Sequence, residues 1–174
     1  MLLLVGLGNP GPKDLNNRHN IGFRIIDAVN SHFKLSKQKP KFKGLLTTGM
    51  IGEHKVYAIK PLTFMNNSGT AIKELIDYFK IDAKDVIVFH DDLDIDFGKI
   101  KAKFAGSSAG HHGIDSIDKF IGKDYSRVRI GIGHPKDIKK VNNHVLEDFK
   151  EDEEDQVKEI SENIVKLLPT LLEK

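Results

Sequence analysis

The sequence predicts one α/β domain, spanning residues 1–174, with a mixed, partly parallel central sheet flanked by helices. Short apolar runs of strand length alternate along the chain with segments whose apolar residues recur at helical spacing. A length of 174 residues suits a single domain with a sizeable core. Its 39% hydrophobic and 30% charged residues are the composition of a globular protein. The chain shows no repeat, linker or low-complexity tract that would divide it.

The first half of the chain is predicted to hold three strands and two helices. The apolar run over 2–7 predicts a buried strand, and a glycine turn separates two further strands over 45–51 and 55–60. Between the first and second strands lies a helix whose apolar face is Ile21, Ile25, Val29 and Phe33. Ser68 is a candidate N-cap for the second helix. The apolar face of that helix is Ile72, Leu75, Ile76 and Phe79.

The second half is predicted to hold two more buried strands, over 86–89 and 127–133, and two helices. The helix between these strands has an apolar face formed by Ile114, Ile117, Phe120 and Ile121. The last helix opens with acidic residues, which the positive end of the helix dipole favours. Its predicted core face is Val157, Ile160, Ile164, Leu167 and Leu171. Ligands of such sheets bind beyond the carboxyl ends of the strands.

Charge is distributed unevenly, although the net charge is only +2. The segment 147–155 carries seven acidic residues and one lysine, whereas 156–174 is balanced. The first 146 residues therefore carry about +8, an asymmetry that can attract a polyanion such as RNA. A lysine-rich surface also favours solubility, so the charge permits an RNA partner without requiring one.

The glycines of the opening stretch, Gly6, Gly8 and Gly11, fit the dinucleotide-binding pattern G-x-G-x-x-G after a strand. That site needs a helix that begins at the glycines and an acidic residue about 20 positions further on, at the end of a second strand. Here a polar loop with two prolines follows the glycines, and Asp27 lies inside a helical pattern. We therefore reject a nucleotide cofactor and interpret the stretch as a strand that ends in a rigid loop.

The sequence contains no cysteine, which excludes disulfides and thiolate metal sites. No basic segment precedes the first apolar run, and no apolar stretch has the length that spans a membrane. We expect a cytoplasmic protein without membrane contact.

Six motifs follow one another between residue 4 and about residue 135: GLGNPG, RHNIG, TFMNNSG, HDDLD, AGHHG and RIGIGHP. In this order and at these intervals they resemble the bacterial peptidyl-tRNA hydrolase family. The resemblance implies an α/β monomer that hydrolyses the ester between a peptide and the 3′-terminal ribose of tRNA. It also implies that no metal or other cofactor takes part, and that the acceptor stem and 3′ end of peptidyl-tRNA are bound.

The resemblance identifies His19 as the catalytic base and Asp91 as the carboxylate that orients it. Ester hydrolysis needs a base of near-neutral pKa to activate water, and donors for the developing oxyanion. A carboxylate can fix the tautomer of an imidazole and stabilise its protonated form. Taken singly, a histidine before a helix or an aspartate after a strand is more often structural. The ordered set of motifs favours function.

The resemblance places five further residues at positions of the family's substrate pocket: Asn9, Met65, Asn66, His111 and His112. Neutral amides can hold a water molecule and a carbonyl group without adding a charge. The methionine would form an apolar wall for the peptide end.

Two positions depart from the family pattern. His112 stands where the motif G-H-N-G has Asn, and Asp14 stands where many members have Tyr. Histidine is bulkier than asparagine and can become a cation near neutral pH, so we expect the pocket to respond to pH differently. The exchange at Asp14 is expected to alter loop packing more than chemistry.

Lysines alternate with apolar residues over 99–104, which predicts a strand with one cationic and one apolar face. The cationic face would hold Lys99, Lys101 and Lys103, opposite Ile100, Ala102 and Phe104. A solvated strand face would look the same. The family's clamp for the terminal phosphate of tRNA coincides with Lys101, Lys103 and Arg129.

Two other functions remain open at this point. A protein of the same fold could bind RNA without catalysis, as organelle splicing factors that resemble this family do. A metal-dependent peptidase or deamidase is the other alternative, because six residues offer nitrogen or oxygen ligands. These residues are His90, Asp91, Asp92, Asp94, His111 and His112. They contain no H-x-x-x-H pair and no spacing that forces them together, so we predict no metal.

Overall fold

The computed structural model describes residues 1–135, 137 and 140–173, and seven strands in this part of the chain form one sheet. The strands are β1 (Leu2–Gly6), β2 (Lys39–Lys41), β3 (Gly44–Ile51), β4 (His54–Pro61), β5 (Val86–Asp92), β6 (Ile100–Phe104) and β7 (Ser126–Gly131). The helices are α1 (Ile21–His32), α2 (Ser68–Phe79), α3 (His112–Ile121), α4 (Val141–Leu146) and α5 (Glu151–Leu172).

The sheet has the order β2-β3-β4-β1-β5-β7-β6 and mixes parallel with antiparallel pairs. β1 pairs in parallel with β4 and β5, and β5 pairs in parallel with β7. β2, β3 and β6 join the sheet through antiparallel pairs. The carboxyl ends of β1, β4, β5 and β7 therefore meet at one edge, where α/β proteins bind ligands. The predicted fold class is confirmed.

Helices cover both faces of the sheet. α1 and α5 cover one face, and their core residues include Ile25, Val29, Ile160 and Ile164. α2 and α3 cover the other face, and their core residues include Ile72, Leu75, Ile114 and Ile117. β1 is buried on both sides, because its successive residues Leu3 and Leu4 point into the two different cores.

The glycines of the opening stretch allow close packing. A Cβ on Gly6 would come within 2.7 Å of the carbonyl carbon of Gly22, and a Cβ on Gly22 within 2.6 Å of the Leu7 carbonyl oxygen. α1 can lie this close to β1 because neither glycine carries a side chain. Gly11 has open space around it and a φ of 109°, which glycine adopts without strain.

The core face of α5 differs from the prediction in its last two turns. Leu167 is 57% exposed, whereas Leu168 and Leu172 are buried. The helical period explains the difference, because Leu168 lies four residues beyond the buried Ile164 and therefore on the same face. Within the described residues, no helix combines the length and the apolar character needed to cross a bilayer.

The shortest elements were not predicted. β2 has three residues and α4 has six, too few to show a period in hydrophobicity. Ser68 is the first residue of α2 and not its cap, because Asn67 takes the cap position. The Ser68 hydroxyl instead donates to the carbonyl of Met65 at 2.8 Å.

β6 confirms the predicted strand but only part of its apolar face. Ile100 packs against the core, whereas Ala102 and Phe104 are exposed. β6 is an edge strand that pairs with β7 alone, so the helices cover only part of it.

We expect Gly22→Ala to lower the free energy of unfolding by about 1–3 kcal/mol, because the added methyl group would overlap backbone atoms of Leu7 and Phe89. Ser31→Ala, at an exposed position of the same helix, is the matched control and should change that free energy by less than about 0.5 kcal/mol. Urea denaturation measures both values. Equal stabilities for the two variants would contradict the close packing of α1 on the sheet.

Candidate active site

His19 lies in a short 3-10 helix, Arg18–Asn20, that leads directly into α1. The side-chain oxygen of Asn17 caps this turn by accepting a backbone N–H three residues further on, at 3.1 Å. Arg18 is buried, and its guanidinium donates to a backbone carbonyl of α4 and to Glu153 of α5, each at 3.1 Å. The turn is thus tied to both C-terminal helices, which holds His19 at the carboxyl edge of the sheet.

Asp91 is a buried carboxylate near the end of β5 that bonds two imidazoles. Its Oδ2 lies 2.8 Å from Nδ1 of His19, and its Oδ1 lies 2.7 Å from Nε2 of His111. Only 3% of the Asp91 side chain is exposed, so its two oxygens are satisfied inside the protein. The structure therefore brings together the two residues that the resemblance identified as base and orienting carboxylate.

These hydrogen bonds determine which nitrogen of each ring carries a proton. Nδ1 of His111 accepts from the backbone N–H groups of Gly113 and Ile114 at the start of α3. The His111 proton is therefore on Nε2, which donates to Asp91. Nδ1–H of His19 also donates to Asp91, which leaves the lone pair of its Nε2 free to accept a proton.

The pKa values of the pair follow from burial and from mutual attraction. Burial alone would lower the pKa of His19, but the charge and hydrogen bond of Asp91, with a smaller contribution from Asp14, outweigh it and raise that pKa. Burial would raise the pKa of the Asp91 carboxyl, yet the attraction and hydrogen bonds of the two imidazoles lower it. Asp91 therefore stays ionised while His19 gains or loses its proton.

Asn9, just beyond β1, is held in place on two sides. Its backbone N–H donates to the Asn20 side chain at 2.8 Å, and its carbonyl accepts from Nδ2 of Asn20 at 2.9 Å. Its own side-chain oxygen accepts from the backbone N–H of Met65 at 2.7 Å, which leaves its NH2 group as a donor. The sequence did not predict that Asn20 positions Asn9, because no pattern around Asn20 indicates which backbone groups its side-chain amide binds.

Two clefts open at the carboxyl edge of the sheet and meet at His19. The first has a volume of about 200 Å³ and contains Asp91 and the loop 108–110. The second has a volume of about 410 Å³ and contains Asn9, Met65 and Asn66. The residues that line both clefts are His19, His112, Asn142 and Val145.

The predicted pocket residues differ in what they offer to a ligand. Asn66 and His112 are exposed at the rim, whereas Met65 is 4% exposed and forms an apolar wall. Both ring nitrogens of His111 are bonded within the protein, so this residue supports Asp91 while its ring lines the first cleft. Asn142 and Val145 were not predicted, because α4 is too short to be recognised.

Four cations share one face of the β6–β7 pair. Lys101 lies opposite Arg129, and Lys103 lies opposite Arg127. Residues opposite one another in an antiparallel pair point to the same face, and like charges placed so are unfavourable. Each arginine lies within 3.5 Å of an aspartate, but neither lysine has an acidic partner among the described residues. The face therefore presents uncompensated positive charge that suits an anion.

Comparison with known proteins identifies the family. The model of the peptidyl-tRNA hydrolase family matches residues 3–174. The chain belongs to the peptidyl-tRNA hydrolase family. The peptidyl-tRNA hydrolase of Pelagibacter ubique is 71% identical over 174 residues, which are 100% of this chain and 94% of that protein. That of Bartonella quintana is 45% identical over 172 residues, which are 99% of this chain and 89% of that protein.

The fold agrees with the family. A crystal structure of peptidyl-tRNA hydrolase from Acinetobacter baumannii matches with a TM-score of 0.90 at 34% identity. The match covers 98% of this chain and 89% of that one.

Asp14 and His112, the two positions at which the sequence was interpreted as departing from the family motifs, both line the second cleft. Asp14 accepts a hydrogen bond from Nδ2 of Asn17 at 2.9 Å, so it supports the residue that caps the His19 turn. His112 is exposed as the first residue of α3 and faces both clefts. The second cleft of this peptidyl-tRNA hydrolase family member therefore contains a carboxylate and an imidazole beside His19.

Three side chains, His19, Asp91 and His111, have potential metal-ligand atoms within 4.8 Å of one another. The nitrogen–oxygen distances of 2.8 and 2.7 Å are those of direct hydrogen bonds. Ligands about 2.0–2.2 Å from a tetrahedral ion would lie about 3.3–3.6 Å apart. The geometry therefore favours a proton between these groups.

The other metal candidates of this hydrolase-family chain do not converge within the described residues. His90 is buried beside His111, with ring centres 4.9 Å apart, and its Nδ1 lies 2.8 Å from the Asp91 carbonyl. Burial and the neighbouring His111 lower the pKa of His90 to about 3, so it is neutral at physiological pH.

We expect Asp91→Asn to lower the pKa of His19, because a neutral amide no longer attracts the imidazolium. In the wild type, the protonated pair stabilises the fold below the ordinary histidine pKa, and this contribution is lost as pH rises through the raised pKa. In Asp91→Asn the free energy of unfolding should therefore not fall in this way as pH rises through the wild-type pKa of His19. NMR titration of the His19 ring protons measures the pKa.

Asp94→Asn is the matched control, since it removes the same charge from an exposed position three residues away. It should leave the pKa of His19 close to the wild-type value. A His19 pKa that is the same in both variants would contradict the pairing with Asp91.

Proposed function

We propose that this member of the family hydrolyses the ester between the peptide, or an N-blocked amino acid, and the 3′ ribose of peptidyl-tRNA, and so recycles tRNA. The observation that carries the proposal is the position of His19, whose Nδ1 is bonded to Asp91 while its ring lines both clefts. The site also keeps Asn9 and Asn66 beside this pair. A protein that only binds RNA has no need of a base so oriented.

The proposed reaction needs one group that takes up and returns a proton, and one hydrogen-bond donor for the oxyanion. Nε2 of His19 takes a proton from a water molecule as the water oxygen attacks the ester carbon. The NH2 group of Asn9 is available to donate to the oxyanion that forms. The intermediate then releases the 3′ oxygen of the ribose, to which the His19 imidazolium returns the proton. Asp91 stays ionised throughout and stabilises that imidazolium.

The proposed substrate also explains the cationic face of β6 and β7. Lys101, Lys103 and Arg129 would bind the terminal phosphate of tRNA, which offsets the repulsion between like charges on opposite strands. The Arg129 side chain is 25% exposed, so its guanidinium can contact an anion while it stays 3.5 Å from Asp92, which supports a role in binding the phosphate.

We further propose that the protein acts as a monomer of one domain, residues 1–174, and contacts the acceptor stem and 3′ end of its substrate. Its place of action would be the cytoplasm, where peptidyl-tRNA is made. The uneven charge supports this partner, since about +8 resides in the part of the chain that contains the clefts.

Replacing His19 with Ala tests the proposal. We expect the turnover of N-acetyl-aminoacyl-tRNA to fall by roughly two to four orders of magnitude, because the base is lost. Binding of the substrate should persist, since the cations on β6 and β7 remain. Release of tRNA measures turnover, and fluorescence anisotropy measures binding.

The matched control is His32→Ala, which removes an exposed histidine from the other end of α1. Its turnover should equal that of the wild type. Near-normal turnover in His19→Ala would rule out the assigned base, and a wild type without turnover would rule out the proposed function.

We expect chelation to leave the activity unchanged, because the distances among His19, Asp91 and His111 suit hydrogen bonds. The enzyme is treated with EDTA, transferred to metal-free buffer and assayed for tRNA release. Loss of activity that zinc restores would show that these residues bind a metal and would revive the metallohydrolase alternative.

A further inference from the structure

The loop 105–110 lies between the proposed phosphate site and the catalytic pair. It follows β6, which carries two of the lysines, and it ends at His111, which bonds Asp91. Its last three residues, 108–110, line the first cleft. One short loop therefore borders both halves of the proposed site.

Gly106 of this loop lies directly against the side chain of Lys103. A Cβ on Gly106 would come within 2.6 Å of Nζ of Lys103 and closer still to its Cε. The three atoms nearest to that Cβ position all belong to this one lysine. Lys103 is accordingly half-buried, whereas Lys101 on the same face is exposed. The missing side chain of Gly106 leaves the space in which the Lys103 ammonium lies.

Arg127 holds the same loop from inside the protein. Its Nη1 donates to the carbonyls of Gly106 and Ser107, at 2.9 and 3.3 Å. Its Nη2 donates to Asp118 of α3 at 3.0 Å, and its guanidinium lies 4.5 Å from the centre of the Tyr125 ring. Only 1% of Arg127 is exposed, so it cannot bind the substrate itself.

The same loop is also connected to the catalytic pair, through His111. The backbone N–H of His111 donates to the carbonyl of Ser108 at 3.0 Å, and Nε2 of His111 donates to Asp91. A displacement of the loop at Ser107 would therefore move His111 and with it a hydrogen-bond donor of Asp91.

We propose that Gly106 and Arg127 are positioning residues that make the loop 105–110 a common support for the phosphate site and the catalytic pair. Gly106 sets the place of the Lys103 ammonium, and Arg127 fixes the carbonyl of that same glycine. This inference rests on the proposed function, because it requires Lys103 to bind the terminal phosphate of the substrate.

Gly106→Ala tests the first half of the inference. The crowded atoms belong to the end of a flexible side chain, so the methyl group displaces the ammonium. We expect KM for N-acetyl-aminoacyl-tRNA to rise by about three- to tenfold, with kcat unchanged, because one charge-assisted contact is weakened. With the same substrate after removal of its 5′-phosphate, Gly106→Ala and the wild type should have equal KM values.

The matched control is Gly122→Ala. Gly122 has a φ of 81°, close to the 96° of Gly106, but open space around it, so this substitution adds backbone strain without touching a lysine. It should leave both KM values unchanged. If the two alanine variants behave alike, or if Gly106→Ala raises KM equally on both substrates, the inference is overturned.

A double-variant comparison shows whether Gly106 acts through Lys103. In a Lys103→Ala background, Gly106→Ala should raise KM no further, because the displaced ammonium is already absent. An additional rise of the same size as in the wild-type background would overturn the inference.

Arg127→Lys tests the second half. Lysine keeps the positive charge near Asp118, but its single nitrogen cannot take the places of both Nη1, which binds the loop carbonyls, and Nη2, which binds Asp118. We expect kcat to fall by about tenfold, KM to rise and the pKa of His19 to shift, because the loop and His111 move. A variant that only unfolds at a lower temperature, with kinetics and pKa unchanged, would mean that Arg127 serves stability alone and would overturn this half.

The wild type separates these results from a failure of the proposed function. If wild-type turnover does not depend on the 5′-phosphate, the proposed phosphate site is contradicted, and so is this inference. The proposed hydrolase activity would still stand. A wild type without turnover would contradict the proposed function itself.

Discussion

The approach of α1 to the two central strands is the constraint on which the rest of the molecule depends. Gly22, in the first turn of α1, lies against the backbone of Leu7 and Phe89 with no room for a side chain. The N–H of Leu7 donates to the carbonyl of Phe89 at 3.1 Å, so the ends of β1 and β5 are tied together under the helix. His19 lies three residues before Gly22, and Asp91 lies two residues after Phe89. Backbone contacts in the core therefore set the distance between His19 and Asp91.

The buried carboxylate of Asp91 then joins the two layers of helices. Removing a carboxylate from water is costly unless its oxygens receive hydrogen bonds. His19 supplies one from the side of α1, and His111 supplies the other from the side of α3. His111 also caps α3 through its second nitrogen, so the position of that helix is linked to the buried charge of Asp91 at the carboxyl edge of the sheet. A displacement of either helix layer would therefore alter one of the two hydrogen bonds to Asp91.

The parts of the fold that the sequence predicted are those in which apolar residues recur with one period over two or more turns. α1 and α2 are examples. α5 shows the limit, because its last turns hold apolar residues at both 167 and 168 and again at 171 and 172. Either set continues a helical stripe, and only the packing on the sheet selects Leu168 and Leu172.

The candidate site was harder to predict from the sequence than the fold. His19 and Asp91 are 72 residues apart, and only resemblance to a family paired them. The two hydrogen bonds between the Asn20 side chain and the Asn9 backbone depend on the orientation of both groups, which no sequence spacing indicates.

The proposed specificity follows from the rigidity of the sheet. Asp91 lies on β5, and the three cations proposed to bind the phosphate, Lys101, Lys103 and Arg129, lie on β6 and β7, which are the next two positions in the strand order. Neighbouring strands are about 4.8 Å apart, so β5 and β6 are separated by about 10 Å that the hydrogen-bonded ladder keeps constant. A substrate uses both the base and the cations only if its ester and its phosphate are separated to match. In tRNA the 5′-terminal phosphate and the 3′-terminal ribose lie at the same end of the molecule, on opposite strands, so one substrate can reach both. An imidazole paired with a carboxylate can hydrolyse many esters. Selection for peptidyl-tRNA would therefore come from the fixed spacing between two charged sites, and not from the chemistry of His19.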